Sequence, residues 1–386
     1  MNHGVSALLN LPDIDLPAAA VQLRSEVREF LTAERAKGTF IPHCDAWHTG
    51  FDPAFSAALG ERGWLGISWP TKYGGHQRSV LERFVVTEEL LAAGAPVAAH
   101  WVSDRQSGPG FLRFGTEEQR QRFLPGMAAG EIYFALGISE PEAGSDLSSL
   151  VTRARRADGG WILNGTKTWT SHAHQCHFIT VLCRTSQSQD DRHAGFSQLI
   201  VDLTSPGVIV RPIRILDNSH HFNEVMFDNV FVPDDLLLGE EGAGWSQISA
   251  ELALERSGPE RFMSNFPLLE ELVAAVAAAP TPQGVQAVGE LVADFIALRR
   301  MSLTIATAIE AGENPSIPAA LVKDTGTRFE QRVPEVTRAV FSPVQRAQNP
   351  SLAARYEEAV LLNPGGKFRG GTNEVLRGIV AKGLGL

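Results

Sequence analysis

A carboxylate interrupts an apolar helix face in the stretch LALERSGPERF, residues 252–262. At helical spacing the face reads Trp245, Ile248, Leu252, Glu255, Pro259, Phe262, so Glu255 stands where a buried residue is expected. Held away from water, a carboxylate gains proton affinity, and Glu251, one turn earlier, pushes the same way by like-charge repulsion. A group so tuned can take a proton from a weakly acidic C–H. Arg256 is adjacent in sequence and points elsewhere on the helix. On pattern alone a plainer reading stands beside this one: a helix-edge glutamate with its head in water.

Three further segments hold residue types that could bind or react. FALGISEPEAGSDLSS, residues 134–149, gathers Ser139, Glu140, Gly144, Ser145 and Asp146 on a turn-rich loop. Backbone amides and small hydroxyls there can approach a phosphate or a flat ring, or the loop is a mere connection. NGTKTWTSHAHQCHF, residues 164–178, opens on an Asn-Gly hairpin signal and sets Trp169, Thr170 and Ser171 in an extended run. The indole and hydroxyls could flank a planar cofactor; the alternative is a buried strand Trp with Thr and Ser facing solvent. His172, His174, His177 and His193 lack a carboxylate at a fixed helical offset, so no metal site is expected. FRGGTNEVLRG, residues 368–378, places Thr372 at a helix N-cap, with free N–H groups that an anion could use.

The elements that must position these groups change character along the chain. Helical periodicity runs to about residue 130, short β-branched and aromatic runs such as HFITVLCRT and EVMFDNVFV follow to 238, and helical text then returns. The expectation is an α+β protein with a helical domain at 1–130, a β domain at 131–238 and a helical bundle at 239–386. With 386 residues and 44% hydrophobic content the chain can bury large cores. A net charge of −10 argues against nucleic acid or an anionic membrane as partner. Three scattered cysteines, Cys44, Cys176 and Cys183, fit a reducing compartment. The start MNHGVSALLNLPDIDL does not read as a signal peptide, and no run of about 18 apolar residues occurs. A cytoplasmic location is the expectation.

Six stretches occur in the order and approximate spacing of one known family: GERGWLGISWPTKYGG, FGTEEQRQRFLPGMAAGE, SEPEAGSDL, LNGTKTWTS, HFNEVMFDNVFVPDDLLLGEEGAGW and GGTNEVLRGIVAKGLGL. The chain resembles the acyl-CoA dehydrogenases from about residue 20 to 262 and again in its last segment. The resemblance implies an N-terminal helical domain, a central β-barrel or sheet domain and a C-terminal four-helix bundle, with FAD held between them. The implied reaction removes hydrogens from Cα and Cβ of an acyl thioester, the electrons passing to an electron-transfer flavoprotein. Ile138, Ser139 and Ser145 then align with flavin-loop residues, and Trp169, Thr170 and Ser171 with the strand lying on the flavin ring. Thr372 and Glu374 align with residues touching the cofactor's sugar and phosphate, and a backbone N–H near Glu374 would polarise the thioester carbonyl.

Most family members carry the base just before the Gly-Thr of the last motif, and here that position is Gly370. A minority, resembling isovaleryl- and long-chain-type members, carry it at the position of Glu255, which is therefore the implied catalytic base. Leu252, Arg256, Trp101 and Asp104 are the implied substrate-binding positions. In AAHWVSDRQSGPG, residues 98–110, His100, Asp104 and Arg105 could meet a polar acyl tail, the alternative being a surface ion pair. The family's Arg-x-x-Phe-Gly segment is not recognisable, and Ala253 stands where many relatives have Asp. These departures open other readings: a heteromer with a second such subunit instead of a homodimer or homotetramer, an FAD-poor or non-catalytic subunit, or the same fold acting on a carrier-bound or non-acyl substrate.

Overall fold

Side chains at the helix starts set where several elements begin. Ser79 and Thr116 form reciprocal capping boxes with Glu82 and Gln119, and Thr281 and Thr372 cap two later helices through Gly284 and Val375 N–H. The computed structural model describes residues 14–186, 191–313 and 315–386; within the helix Gly244–Glu255 the side chains of 252–255 lie outside the description. Helices α1 (Ala18–Lys37), α2 (Pro53–Glu61), α3 (Val80–Ala92), α4 (Ala98–Val102), α5 (Gly108–Phe114) and α6 (Glu117–Ala128) come first. Strands β1 (Phe134–Gly137), β2 (Arg153–Ala157), β3 (Gly160–Ser171), β4 (Phe178–Arg184), β5 (Phe196–Asp202), β6 (Val208–Arg214), β7 (His220–Pro233) and β8 (Leu237–Leu238) follow. Helices α7 (Gly244–Glu255), α8 (Phe266–Ala278), α9 (Pro282–Glu310), α10 (Ser316–Val340), α11 (Pro350–Leu362) and α12 (Asn373–Gly383) complete the chain. The fold is α+β in the expected order, helices, sheet, helices.

Packing divides the chain into two units, one made of Met1–Gly50, Arg78–Pro96 and Ala253–Leu386, the other of Phe51–Gln77 and Val97–Leu252. The segment 1–130 is thus shared between them, because α1 and α3 pack in the first unit while α2, α4, α5 and α6 belong with the sheet.

In the sheet-bearing unit the strands run in the order β6-β7-β3-β2-β4-β5-β8, with β1 paired in parallel to β4. Phe111 of α5 and Phe123 of α6 meet Phe134 and Phe178 of the sheet, with ring centroids 5.1–5.4 Å apart. Each buried ring contributes roughly 1.5–3 kcal/mol by removal from water. Asn164-Gly165 is not the expected hairpin turn: the turn joining β2 to β3 is at Asp158 and Gly159, while Gly165 lies inside β3 opposite Phe227. Glycine is required there because a Cβ at 165 would sit 2.3 Å from Thr152 Oγ1.

The other unit is helical. Adjacent buried carboxylates of α3, Glu88 and Glu89, are neutralised by Arg24 and Arg28 of α1 and Arg299 of α9. Pairing of this kind is what allows charge to stay in an interior. No described helix is long and apolar enough to cross a membrane. Cys44, Cys176 and Cys183 are free thiols.

Candidate active site

A β-bulge decides which side chains of β3 face outward. Lys167 pairs with Val225 and Thr170 with Asn223, so β3 carries one residue more than β7 between these points. The extra residue breaks the alternation of a regular strand: Lys167 and Thr170 are both fully buried, and Trp169, at φ +58°, stands 56% exposed. The alternative of a buried strand Trp with solvent-facing Thr is thereby reversed. Thr170 Oγ1 has no hydrogen-bond partner among the described residues. Ser171 closes the ladder opposite Phe222, whose ring meets Trp169 edge-on at 5.5 Å.

Lys167 organises the neighbouring loop. Its ammonium donates to Ile138 O at 3.0 Å and to Glu140 Oε1 at 2.8 Å, with both side chains buried. Glu140 also accepts the N–H groups of Val151 and Thr152 at 2.7 and 3.0 Å, which ties both ends of the loop together. Burial acts to raise the Glu140 pKa, but the Lys167 charge and these donors outweigh it and hold the carboxyl below its ordinary value. Burial lowers that of Lys167, against the attraction of Glu140. Ser139 O accepts from Thr168 N–H at 2.9 Å. With the Ile138 carbonyl drawn to Lys167, the Ser139 N–H that follows it in the planar peptide faces the other way, while Glu140 N–H donates to Ala143 O at 2.9 Å. Ile138 is partly buried against Ala143, Leu150 and Phe196, while Gly144 and Ser145 are exposed and nothing lies within 4 Å of a Cβ built on Gly144.

His172, His174, His220 and His221 gather at the end of the β3–β7 ladder, His174 and His220 stacked at 4.0 Å. Burial, then the neighbouring imidazoles of His220 and His172, lowers the pKa of His174. Among the described residues no group of three His, Cys, Asp or Glu is placed to hold a metal ion.

The stretch 98–110 is interior structure. Asp104, on a π-helical turn (Ser103–Ser107) between α4 and α5, is 8% exposed and accepts Gly66 N–H at 2.7 Å. His100 is 3% exposed and bonded to Ser56 Oγ at 2.8 Å, and burial lowers its pKa to about 4. Trp101 is buried, with the Arg105 guanidinium 4.8 Å from its ring. Asp104 and His100 are thus interior and not surface groups, and their hydrogen bonds to Gly66 and Ser56 satisfy polar atoms that burial would otherwise leave unpaired.

In the helical unit the residues around the last motif converge. Gly370 and Gly371 have φ of +65° and +98°, a conformation costly for any residue with a Cβ. A Cβ at 370 would lie 3.3 Å from the Arg261 guanidinium, and Arg256 Nε donates to Gly370 O at 2.9 Å. Thr372 caps α12, and exposed Glu374 in its first turn is held below the ordinary carboxylate range by its own backbone N–H and the Thr372 hydroxyl. Helix α7 ends at Glu255, and Pro259 and Phe262 follow in a separate turn after Gly258. Ile248, Pro259 and Phe262 are buried and Trp245 half-buried, but they are not one helix face. The side chains of Leu252 and Glu255 lie outside the described residues. Glu251 is half-buried and accepts from Gln198 Nε2 at 3.4 Å.

Beneath this turn lies a buried charge network. Arg369 Nη1 meets Asp45 Oδ1 at 2.7 Å, Trp47 lies near the guanidinium groups of Arg261 and Arg369, and Glu330 Oε1 accepts Ser264 N–H at 2.7 Å. Burial raises the Glu330 pKa to about 7, against the pull of Arg369 and Ser264. Unfolded glutamates titrate near 4.3, so this group's contribution to stability is complete below about pH 4.3 and is lost as pH rises through about 7. Glu330→Gln should therefore gain stability relative to the wild type between pH 5 and pH 8, by on the order of 3 kcal/mol. Urea midpoints at both pH values measure this; identical pH slopes in the two proteins would contradict it.

Comparisons with known proteins meet this geometry. Residues 18–131 match the model of the acyl-CoA dehydrogenase N-terminal domain, and residues 135–230 that of the acyl-CoA dehydrogenase middle domain. The chain is 33% identical to acyl-CoA dehydrogenase FadE29 of Mycobacterium tuberculosis, over 95% of this chain and 97% of that protein. The chain belongs to the acyl-CoA dehydrogenase family. A structure described as the Tcur3481-Tcur3483 steroid ACAD superposes on this dehydrogenase with a TM-score of 0.85 at 30% identity, covering 97% of this chain and 99% of that one. The ChsE4-ChsE5 complex of Mycobacterium tuberculosis does so at 0.83 and 28%, over 97% and 99%.

Within this dehydrogenase the structure groups Ile138, Ser139, Trp169, Thr170 and Ser171 around the Lys167–Glu140 pair, and separately groups Arg256, Gly370, Thr372 and Glu374 in the helical unit. An outward indole and a neighbouring loop with Ser139 N–H turned away from Lys167 fit a flat conjugated ring with donor and acceptor edges, as in a flavin. Sequence reasoning passed over Lys167, Lys323, Glu330 and Asp45. Lys167 gave little local signal, since it stands among polar residues in NGTKTW.

Proposed function

We propose that this dehydrogenase is FAD-dependent and removes the α and β hydrogens of an acyl-CoA thioester. The observation carrying this reading is the bulged strand: it turns Trp169 outward and Thr170 inward, next to a loop anchored by Lys167 and Glu140. Ile138, Ser139, Ser145, Trp169, Thr170 and Ser171 would hold the flavin, with Thr372 and Glu374 toward its sugar and phosphate. Bound flavin supplies a two-electron acceptor for the β hydride. Glu255 takes the α proton, and a backbone N–H near Glu374 polarises the thioester carbonyl, stabilising the enolate that develops. Leu252 and Arg256 are the nearest candidates for substrate contact. Trp101 and Asp104, aligned with substrate-binding positions, are buried, and Asp104 is engaged by Gly66 N–H, which favours a structural role for both. An electron-transfer flavoprotein is the proposed acceptor.

A heteromer with a second subunit of the family is the favoured assembly, supported by the missing Arg-x-x-Phe-Gly segment and by similarity to two-component assemblies. A steroid-like acyl group is the substrate class suggested by the name of one of them. Absorbance of the purified chain, expressed alone and with candidate partner subunits, tests the cofactor reading, and titration with a panel of straight-chain and polycyclic acyl-CoAs tests the substrate. Yellow protein bleached by an acyl-CoA is the expected result. Colourless protein under every condition would sink it.

A further inference from the structure

Lys323 lies in the second turn of α10, 1% exposed, where a bundle helix ordinarily places an apolar residue. Its ammonium donates to three backbone carbonyls of one turn: Gly366 at 3.2 Å, Lys367 at 3.3 Å and Gly371 at 2.9 Å. A lysine has three N–H donors, and here each has a carbonyl within reach. Arg256 holds the intervening Gly370 carbonyl at 2.9 Å, and Asn373 ties the first residue of α12 to Asp324 O at 3.3 Å.

These bonds set the direction of the amides as well as the carbonyls. In a trans peptide the C=O of one residue and the N–H of the next point in opposite directions. With the Gly371 carbonyl drawn to Lys323, Thr372 N–H is turned away from the ammonium; with the Gly370 carbonyl drawn to Arg256, Gly371 N–H is turned likewise. Gly370 and Gly371 both adopt positive φ, so the turn has more accessible conformations than other residues would allow, and something must select one. Charge-assisted bonds from a buried cation are strong enough to do so.

We propose that Lys323 is a positioning residue for the reaction: it fixes the peptide planes that follow Gly366, Lys367 and Gly371 and thereby aims the Thr372 amide, which leads into α12, at the thioester carbonyl. The inference rests on the reading that an amide at this helix start polarises the substrate. It assigns Lys323 no contact with substrate or cofactor.

The test compares wild type, Lys323→Met, which keeps length without donors, and Lys323→Gln, which keeps two N–H donors. Amide hydrogen exchange by mass spectrometry and the kinetics of flavin reduction by an accepted acyl-CoA are both read. In Lys323→Met, exchange of the amides of 366–375 should quicken about ten-fold or more while the rest of the bundle is unchanged. kcat should fall by about 100-fold with KM nearly unchanged, because misplacing a polarising group costs the transition state more than binding. Lys323→Gln should fall between, and it carries the test where Lys323→Met does not fold. Unaltered exchange at 366–375, or a rise spread evenly over the bundle with kcat retained, would overturn the proposal. If the wild type holds no flavin, or Glu255→Gln reduces it at the wild-type rate, the functional reading fails instead, and the exchange measurement still decides whether Lys323 sets this turn.

Discussion

Glu255→Gln should leave a chain that folds and binds its flavin but reduces it about 10²- to 10⁴-fold more slowly with any acyl-CoA the wild type accepts. The substitution preserves size and removes only the basic lone pair, so the loss falls on proton abstraction. The alternative family position offers no substitute: Gly370 has no side chain, and a Cβ there would meet Arg261 at 3.3 Å on a backbone of positive φ. Magnitude separates the two readings of this carboxylate. A helix-edge glutamate with its head in water would change stability by no more than about 0.5 kcal/mol and leave the rate near that of the wild type. Stopped-flow reduction under anaerobic conditions, with flavin content and melting temperature recorded for both proteins, provides the comparison. Equal reduction rates would remove Glu255 as the base.

The second large effect concerns the buried Lys167–Glu140 pair that anchors the loop at residues 138–146. Lys167→Met or Glu140→Gln should each lower stability by about 3–5 kcal/mol, because each leaves one charge without its partner in an interior where both side chains are almost fully buried. For comparison, removal of an exposed pair such as Arg338–Glu335 should cost far less, because water screens it. The double variant should lose less than the sum of the singles, since the two residues meet at 2.8 Å and share one interaction. Flavin retained per protein should fall in both single variants, as Lys167 also holds Ile138 O and Glu140 the amides of Val151 and Thr152. Urea unfolding and the ratio of flavin to protein absorbance measure the two consequences. Single variants costing under about 1 kcal/mol would show that the loop is held by something else.

Local signals carried much of the fold. Ser79 with Glu82 and Thr116 with Gln119 form reciprocal capping bonds whose partners lie within four residues, so these helix starts are encoded locally. Thr372 is likewise the cap of the last helix. The period-2 runs became strands, and the helical text after residue 239 became a bundle. Where local chemistry competed with packing, packing prevailed. Asn164-Gly165 carries a turn signal, yet it lies inside β3 because Thr152 needs the space a side chain would take. Pro259 and Phe262 matched a helix period, yet Gly258 and Pro259 end the helix first.

The amino-acid sequence by itself determined the order of helices and strands, the family, and the residue types available for binding and proton transfer, because each depends on neighbours a few positions apart. Only the tertiary structure decided that Trp169 faces outward and Thr170 inward, that Asp104 and His100 serve Gly66 and Ser56, and that Lys323 reaches a turn more than forty residues away. A one-residue bulge reverses which side chains face out, and a long-range hydrogen bond depends on where two distant backbones come to rest; neither leaves a periodic trace in the chain.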